Sequence, residues 1–453
     1  MADPNDSTPL AYEPPDEERP ASSAAPMETN AVQSNARPVD PYAAFRFRDF
    51  SLYMLGWVFG VMGDQVMEVA VGWDIYRRTH NALSLGWVGL VTAAPVICLA
   101  LPAGQLADRF DRKRIVLYSQ FFRSISVIML AWVSYRHGAI GLMYGLLFVG
   151  AICRAIAWPA RSAMLPGLVP KNVFPNAINW NSSGFQIASM AGPAMGGLLV
   201  RWNVPAAYVV AAICGVVFAA VLIPIRVPPM VKSHKARGPA TFQTLAAGVG
   251  FVLQTKIILA TITLDLFAVL LGGATYLLPI FAIDLLHIGA IGFGWLRAAP
   301  AIGALAMGIA VAHLPPMKHA GRAMLFAVAG FGATTIVFGL SRNIWLSLAM
   351  LFLTGAFDNI SVLVRHTLVQ VLTPDDMRGR VSAVNNIFIG ASNELGGFES
   401  GLTAKLFGPV TSVVGGGIGT ILVVTAVGLI WPQVWRFGSL VGAHHEEASA
   451  QAT

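Results

Sequence analysis

Residues 104–114 read Gly104-Gln-Leu106-Ala-Asp108-Arg109-Phe-Asp111-Arg112-Lys113-Arg114, a short charged turn between two long apolar runs. Charges set this densely between hydrophobic segments cannot lie in hydrocarbon, so the turn must face water. So short a polar stretch must also join two adjacent antiparallel membrane helices. Composition agrees: of 453 residues, 55% are hydrophobic and only 12% charged, against about 25% charged in an ordinary soluble domain. The bilayer must therefore be the solvent for most of this chain, and an all-α polytopic membrane protein is expected.

Working outward, twelve apolar runs are long enough to cross: 50–76, 84–107, 114–135, 139–163, 175–200, 206–227, 257–283, 289–314, 323–341, 344–372, 379–404 and 411–435. Each suits a helix of about 20 residues or somewhat more, with tilt. Residues 241–256 read as an interfacial helix before the seventh run. The chain also repeats itself at an offset of 204 residues: Arg161, Leu168, Pro170, Asn181, Gly192, Gly197 and Leu198 match Arg365, Leu372, Pro374, Asn385, Gly396, Gly401 and Leu402. A repeat of six spans preserves orientation, so the halves should be parallel copies about an axis along the membrane normal. That arrangement places a cavity at their interface near the midplane. The expected organisation is an acidic disordered tail (1–44), a first six-helix half (45–227), a basic linker (228–256), a second half (257–436) and a short tail (437–453).

Charge sets the orientation. If the N-terminus is cytoplasmic, the inner loops and helix ends hold fifteen Lys and Arg, from Arg109 to Arg380. The outer ones hold six: Arg77, Arg78, Arg136, Arg201, Arg342 and Lys405. This excess places both termini of the multi-pass chain inside. The net charge of +7 thus reflects topology and gives no reason to expect nucleic acid. Cys98, Cys153 and Cys214 lie in apolar runs at unrelated spacings, so neither a disulfide framework nor a zinc site is indicated.

The 104–114 turn resembles the G-x-L-A-D-R-x-G-R-K signature of the major facilitator superfamily, found between its second and third transmembrane helices. Asp111 departs, standing where that signature has Gly. The departure resembles the efflux branch that holds the enterobactin exporter and macrolide-efflux proteins. So do Gly63-Asp64, the segment Pro159-Ala160-Arg161 to Pro166, Gly192-Pro193, and Pro374 to Val381 opening the eleventh span. The resemblance covers nearly the whole chain past residue 45 and implies two six-helix halves in a major facilitator fold. It implies a proton-coupled antiporter, a small-molecule substrate, and a latch in which Gly104, Asp108, Arg109 and Arg112 control the conformational cycle. A monomer is expected.

Candidate transport residues are the ionisable ones inside the spans, since a charge at mid-membrane costs at least about 2.5–3.5 kcal/mol and must find a partner or a wet cavity. In the first span Gly56, Gly60, Asp64, Glu68 and Gly72 recur every four residues and share one helical stripe. Two carboxylates one turn apart repel when both are ionised, so at least one should hold a proton more tightly than in water. The alternative is that each is locked in an ion pair. Asp64 and Glu68, then Asp265 and Glu399, are the proton-coupling candidates. Glu399 is preferred to Glu394 because it sits deeper. Arg123, Arg154, Arg297 and Asp358 are the substrate-cavity candidates. Arg154 and Asp358 are equivalent under the repeat and opposite in sign, so they either face each other or leave Arg154 for an anionic substrate group. Arg365, like Arg161, reads as a snorkelling anchor near a helix end, and Asp74, Arg77 and Asp284 as groups facing water.

These readings converge on a secondary active exporter of a small amphipathic compound, such as a siderophore or a macrolide-like drug. It would work by alternating access with no cofactor and no metal. No G-x-x-x-x-G-K-[ST] pattern for direct ATP use is present, and no nucleophile–base motif suggests an enzyme. The rival readings are a lipid translocator and a non-transporting receptor or assembly protein on the same fold.

Overall fold

The computed structural model describes residues 40–227, 242–315, 317 and 319–438. The linker cations Lys232, Lys235 and Arg237, most of the acidic tail and most of the C-terminal tail therefore lie outside the described residues. In hydrocarbon every backbone N–H and C=O must be satisfied within the segment, and the apolar runs accordingly fold as helices. The first set comprises α1 (Arg48–Thr79), α2 (Ala82–Arg109), α3 (Arg112–Tyr135), α4 (Ile140–Met164), α5 (Phe174–Trp202) and α6 (Val204–Leu222). A short α7 (Phe242–Gln254) precedes the second set. That set comprises α8 (Lys256–Leu271), α9 (Ala274–Ile280), α10 (Gly289–His313), α11 (Ala320–Leu340), α12 (Ile344–Val371), α13 (Asp375–Phe407) and α14 (Pro409–Ile430), with a terminal turn α15 (Pro432–Arg436). Counting α8 and α9 as one broken span gives twelve membrane helices. No strand occurs among the described residues.

Side-chain caps start the helices where the sequence supplies them. Asn81, Asn203 and Asn343 each accept a backbone N–H at the start of α2, α6 and α12. Asp111 does the same for α3, accepting from the backbone N–H of Arg114 at 3.1 Å. That gives the unusual acid in the charged turn a physical role: it caps the helix that the turn introduces. Arg112 donates to the carbonyl of Ala163 and Lys113 to those of Ile223 and Ile225, tying the turn to the ends of α4 and α6.

The seventh span is not the continuous helix expected over 257–283. It breaks at Gly272–Gly273, resumes as α9, and closes with a π turn over Phe281–Leu285. Both glycines sit where another helix comes close. A Cβ on Gly273 would lie 2.4 Å from Ser400 Oγ and 2.6 Å from the Gly396 carbonyl, and one on Gly272 would meet the Phe331 ring at 2.6 Å. Pro279 within α9 removes a further backbone donor.

The two sets meet along α2 against α13 and α5 against α10. At the end of the bundle opposite the 108–114 turn these crossings are backbone-close. A Cβ on Gly197 would meet the Gly294 Cα at 2.9 Å, and one on Gly401 would meet the Gly86 Cα at 2.5 Å. Small residues there let helices approach as side chains would not. One apolar core fills that end and draws on both sets, including Val69, Ile75, Leu130, Leu277, Phe281 and Phe293. The 108–114 end is built differently. Its apolar clusters stay within one set: Phe50, Val116, Met164 and Phe218 in the first, and Ala260, Met324, Leu368 and Val434, with Val252 and Val384, in the second. The bundle is therefore sealed across one end and parted at the other.

Candidate functional site

Beneath the sealed end lies a cavity walled by both sets: Glu68 and Gly72 (α1), Thr92 (α2), Arg123 (α3), Arg154 (α4), Tyr276 and Pro279 (α9), Phe293 and Arg297 (α10), and Glu394 (α13). It encloses about 900 Å³ free of atoms, counting the part open to solvent. Met67, Val71, Leu85, Val88, Val127, Leu130 and Leu147 line much of the rest. The wall is thus apolar with a few convergent charged groups, the usual chemistry of a small-molecule site.

Two ion pairs cross this cavity from one set of helices to the other. Arg297 of α10 donates to Glu68 of α1. Arg154 of α4 donates through Nη2 to Glu394 Oε1 at 2.6 Å. Glu394 is held further by Thr92 Oγ1 at 2.6 Å and by the Tyr276 hydroxyl at 2.7 Å, both on Oε2. Counting 1.5 Å per residue along α1 and α13, Glu68 and Glu394 sit roughly 17–20 Å from the sealed end and about 30 Å from the other. Directly above them, Trp73 stacks on Phe293 at 5.9 Å and Trp87 meets Phe398 edge-on at 5.6 Å. Tyr76 of the first set donates to Asp284 of the second. The pairs form the floor of the seal.

Two other pairs stay within one set. Arg123 binds Asp64, and Arg365 binds Asp265. Of the two alternatives for Asp64 and Glu68, the structure shows the ion-paired one: each faces its own guanidinium, which offsets the repulsion between them. For Arg154 and Asp358 the facing alternative does not occur: Arg154 pairs with Glu394, and Asp358, a candidate for the central cavity, is not in its wall but lines a neighbouring space of the second set. Arg365 is not a snorkelling anchor: its side chain is 3% exposed and turned inward to Asp265. Asp74 is likewise not in water but buried, bonded by Arg78, Ser134 and the more distant Tyr208 hydroxyl. Arg77 and Asp284 are exposed as expected.

Glu394, passed over in favour of Glu399, is the carboxylate that reaches the cavity. Five residues on a helix is about 140° of rotation, so the two acids point to different sides, whatever their depth. Glu399 has Ser400 as its hydrogen-bonding partner and no ion pair among the described residues. A signal for Glu394 was present: Gly390, Glu394, Gly397 and Gly401 lie at i, i+4, i+7 and i+11, one small-residue stripe like that of the first span. A smaller space adjoins the cavity and shares Arg123 and Arg154 with it. There the Arg161 guanidinium lies 3.7 Å from the ring centre of Trp57 and 4.8 Å from that of Trp158, a cation–π clamp. No carboxylate forms an ion pair with Arg161 among the described residues.

Of the candidate latch, Asp108 and Arg109 are exposed at the end of α2. Gly104, one turn earlier, has nothing within 4 Å of the position a Cβ would take.

Comparisons with known proteins complete the picture. Residues 39–437 match the family described as transmembrane secretion effectors. The chain is 25% identical over 403 residues to the enterobactin exporter EntS of Citrobacter koseri, covering 87% of this chain and 92% of that protein. It is 27% identical over 165 residues to the staphyloferrin A transporter of Staphylococcus aureus, covering 36% of this chain and 41% of that one. Among solved structures, a bacterial homologue of the human lysosomal transporter Spinster superposes with a TM-score of 0.68 at 14% identity, covering 86% of this chain and 97% of its own. The nucleoside transporter NupG gives 0.65 at 13% identity, covering 84% and 98%. At such identities the last two speak for the fold alone. The chain belongs to the transmembrane secretion effector family, and so is a major facilitator superfamily transporter of the branch that holds the enterobactin exporters, with no enzymatic role.

Proposed function

We propose that this protein exports a siderophore-type compound, amphipathic and carrying anionic groups, across the inner membrane by alternating access driven by the proton gradient. The observation that carries the reading is the cavity between the halves, sealed at one end by a shared apolar core and crossed by two ion pairs that run from half to half. Rocking the halves breaks and remakes those pairs, exposing the cavity to one side at a time. The Lys and Arg excess supports a cytoplasmic 108–114 end, and on that orientation this conformation is the one that loads cargo from inside. Both termini are then cytoplasmic. The names of the relatives support a siderophore, and Arg161, held between two indoles with no ion pair among the described residues, supports an anionic aromatic or carboxylate group. A receptor or assembly protein would need no polar pathway, and nothing favours a lipid as cargo.

The test is accumulation of enterobactin and of a macrolide panel in cells lacking their own exporters, with and without this protein. Expression should lower retained enterobactin severalfold and collapse of the proton gradient should abolish the difference. Unchanged retention of enterobactin with lowered macrolide would move the cargo to drugs. Topology has its own check: a cysteine replacing His137 should react with an impermeant maleimide added outside, and one replacing Lys235 should not. The reverse pattern contradicts the orientation.

A further inference from the structure

We infer that Asp358, in a space of the second half that adjoins the central cavity at Thr275 and Tyr276, is the residue that carries the coupling proton. The inference rests on the transport reading above for its consequence, but its evidence is independent of the cargo. Asp358 lies in the middle of α12, 14 residues after its first residue and 13 before its last, which places it near the midplane. Every other described carboxylate deep in the spans has a partner: Asp64, Glu68, Asp74, Asp265 and Glu394 face arginines, and Glu399 accepts from Ser400. Asp358 has no hydrogen bond or ion pair among the described residues.

An ionised carboxylate left so at mid-membrane is strongly disfavoured, and binding a proton removes the charge without any protein partner. The surroundings fit that use. The space beside Asp358 is bounded by the break in the seventh span (Gly272, Gly273), by Thr335 and Thr354, and by Asn393 and Tyr276. Interrupted helices bordering a cavity are where coupling ions bind in transporters built from repeats. A second, smaller void joins Asp358 to Asp265. The titratable groups lining the two spaces are Asp265, which is neutralised by Arg365, and Tyr276; α10 contributes Pro300 and α11 Val328, Phe331 and Thr335. Among the described residues no cation lines either space.

The step is a proton transfer alone: one Asp358 carboxylate oxygen gains a proton from the outer water and later returns it to the inner water. Its effect reaches the cargo through α9. The Gly272–Gly273 break lets α9 tilt as the charge beside it changes, and α9 carries Tyr276, the donor to Glu394 in the inter-half pair.

Two measurements on the full-length protein in proteoliposomes decide the matter. The first is labelling by dicyclohexylcarbodiimide, which attacks carboxyls in their protonated form. Mass mapping should place the adduct on Asp358, falling severalfold from mildly acidic to mildly alkaline pH. It should leave Asp64, Glu68, Asp265 and Glu394 largely unmodified. An unlabelled Asp358 overturns the inference whatever transport does. The second is movement of labelled enterobactin. Asp358→Asn should lower pH-gradient-driven transport at least tenfold while exchange without a gradient stays within about twofold, and Asp358→Glu should recover part of the driven rate. Gradient-driven transport by Asp358→Asn at the wild-type rate also overturns it. Labelled Asp358 in a wild-type protein that ignores the gradient instead defeats the exporter reading and leaves the proton site standing.

Discussion

Glu394→Gln is expected to cut transport about fivefold or more, and the exchange of Arg154→Glu with Glu394→Arg in one chain to recover a substantial part. Glu394 is gripped from both halves, by Arg154 and Thr92 on one side and Tyr276 on the other. The amide can still meet the two hydroxyls but carries no charge, so Arg154 loses its counter-ion and the halves lose one of two electrostatic ties. The arginine side chain is 37% exposed and the glutamate 15%. Solvent therefore screens the pair, and its breakage costs roughly 1–3 kcal/mol, less than for a fully buried pair. Even the lower figure shifts a two-state equilibrium about fivefold, because every 1.4 kcal/mol is a factor of ten. A pair that must open and close in each cycle needs that intermediate strength. The check is a double-mutant cycle on transport rate. If the charge-swapped chain is no better than either single variant, the pair does not link the halves in the working cycle.

Asp108→Asn is expected to lower transport about tenfold while expression and binding of cargo from the cytoplasmic side persist. In this conformation Asp108 is exposed and makes no hydrogen bond or ion pair among the described residues, and the space over Gly104 is open. A glycine inside a helix costs about 1 kcal/mol relative to alanine, and no close approach in this state explains it. Both residues make sense in the opposite state. There the N-terminal end of α13, positive by the helix dipole, would close on α2, with Gly104 admitting it and Asp108 binding it. Such a contact is worth up to about 2 kcal/mol when partly buried, which suffices for the expected loss. Gly104→Leu should act in the same direction by blocking the approach. Wild-type rates in both variants would remove the latch from the account.

Much of the architecture was legible in the sequence because hydrocarbon leaves the backbone so few choices. Apolar runs became helices, the charged turn stayed at an end, and the 204-residue repeat located glycines that do form the close crossings. Pairing was not legible. Asp64 and Glu68 lie one turn apart, yet their arginines come from α3 and α10, and only the rotation of those helices settles that. Arg365 counted as a helix-end residue by position, but its direction around α12 sends it to Asp265. The break at Gly272–Gly273 hid inside a run whose hydropathy shows no interruption; close approach to α11 and α13, a tertiary fact, is what the glycines serve. The sequence equivalence of Arg154 and Asp358 misled for a related reason. Parallel repeats place equivalent residues at equal depth but on separate sides of the axis, and here each turns to a different cavity.

The two ends of the bundle are expected to open in alternation, and spin-label distances across both ends of the same protein in lipid report this. One label pair replaces Phe110 and Leu314 at the 108–114 end, the other Tyr135 and Leu406 at the opposite end, all four exposed. Moving from neutral pH with cargo to acidic pH without it should shorten the Phe110–Leu314 distance and lengthen the Tyr135–Leu406 distance together. Asp108→Asn should hold the first pair long. Distances that change at one end alone, or lengthen at both, would contradict alternating access in this protein.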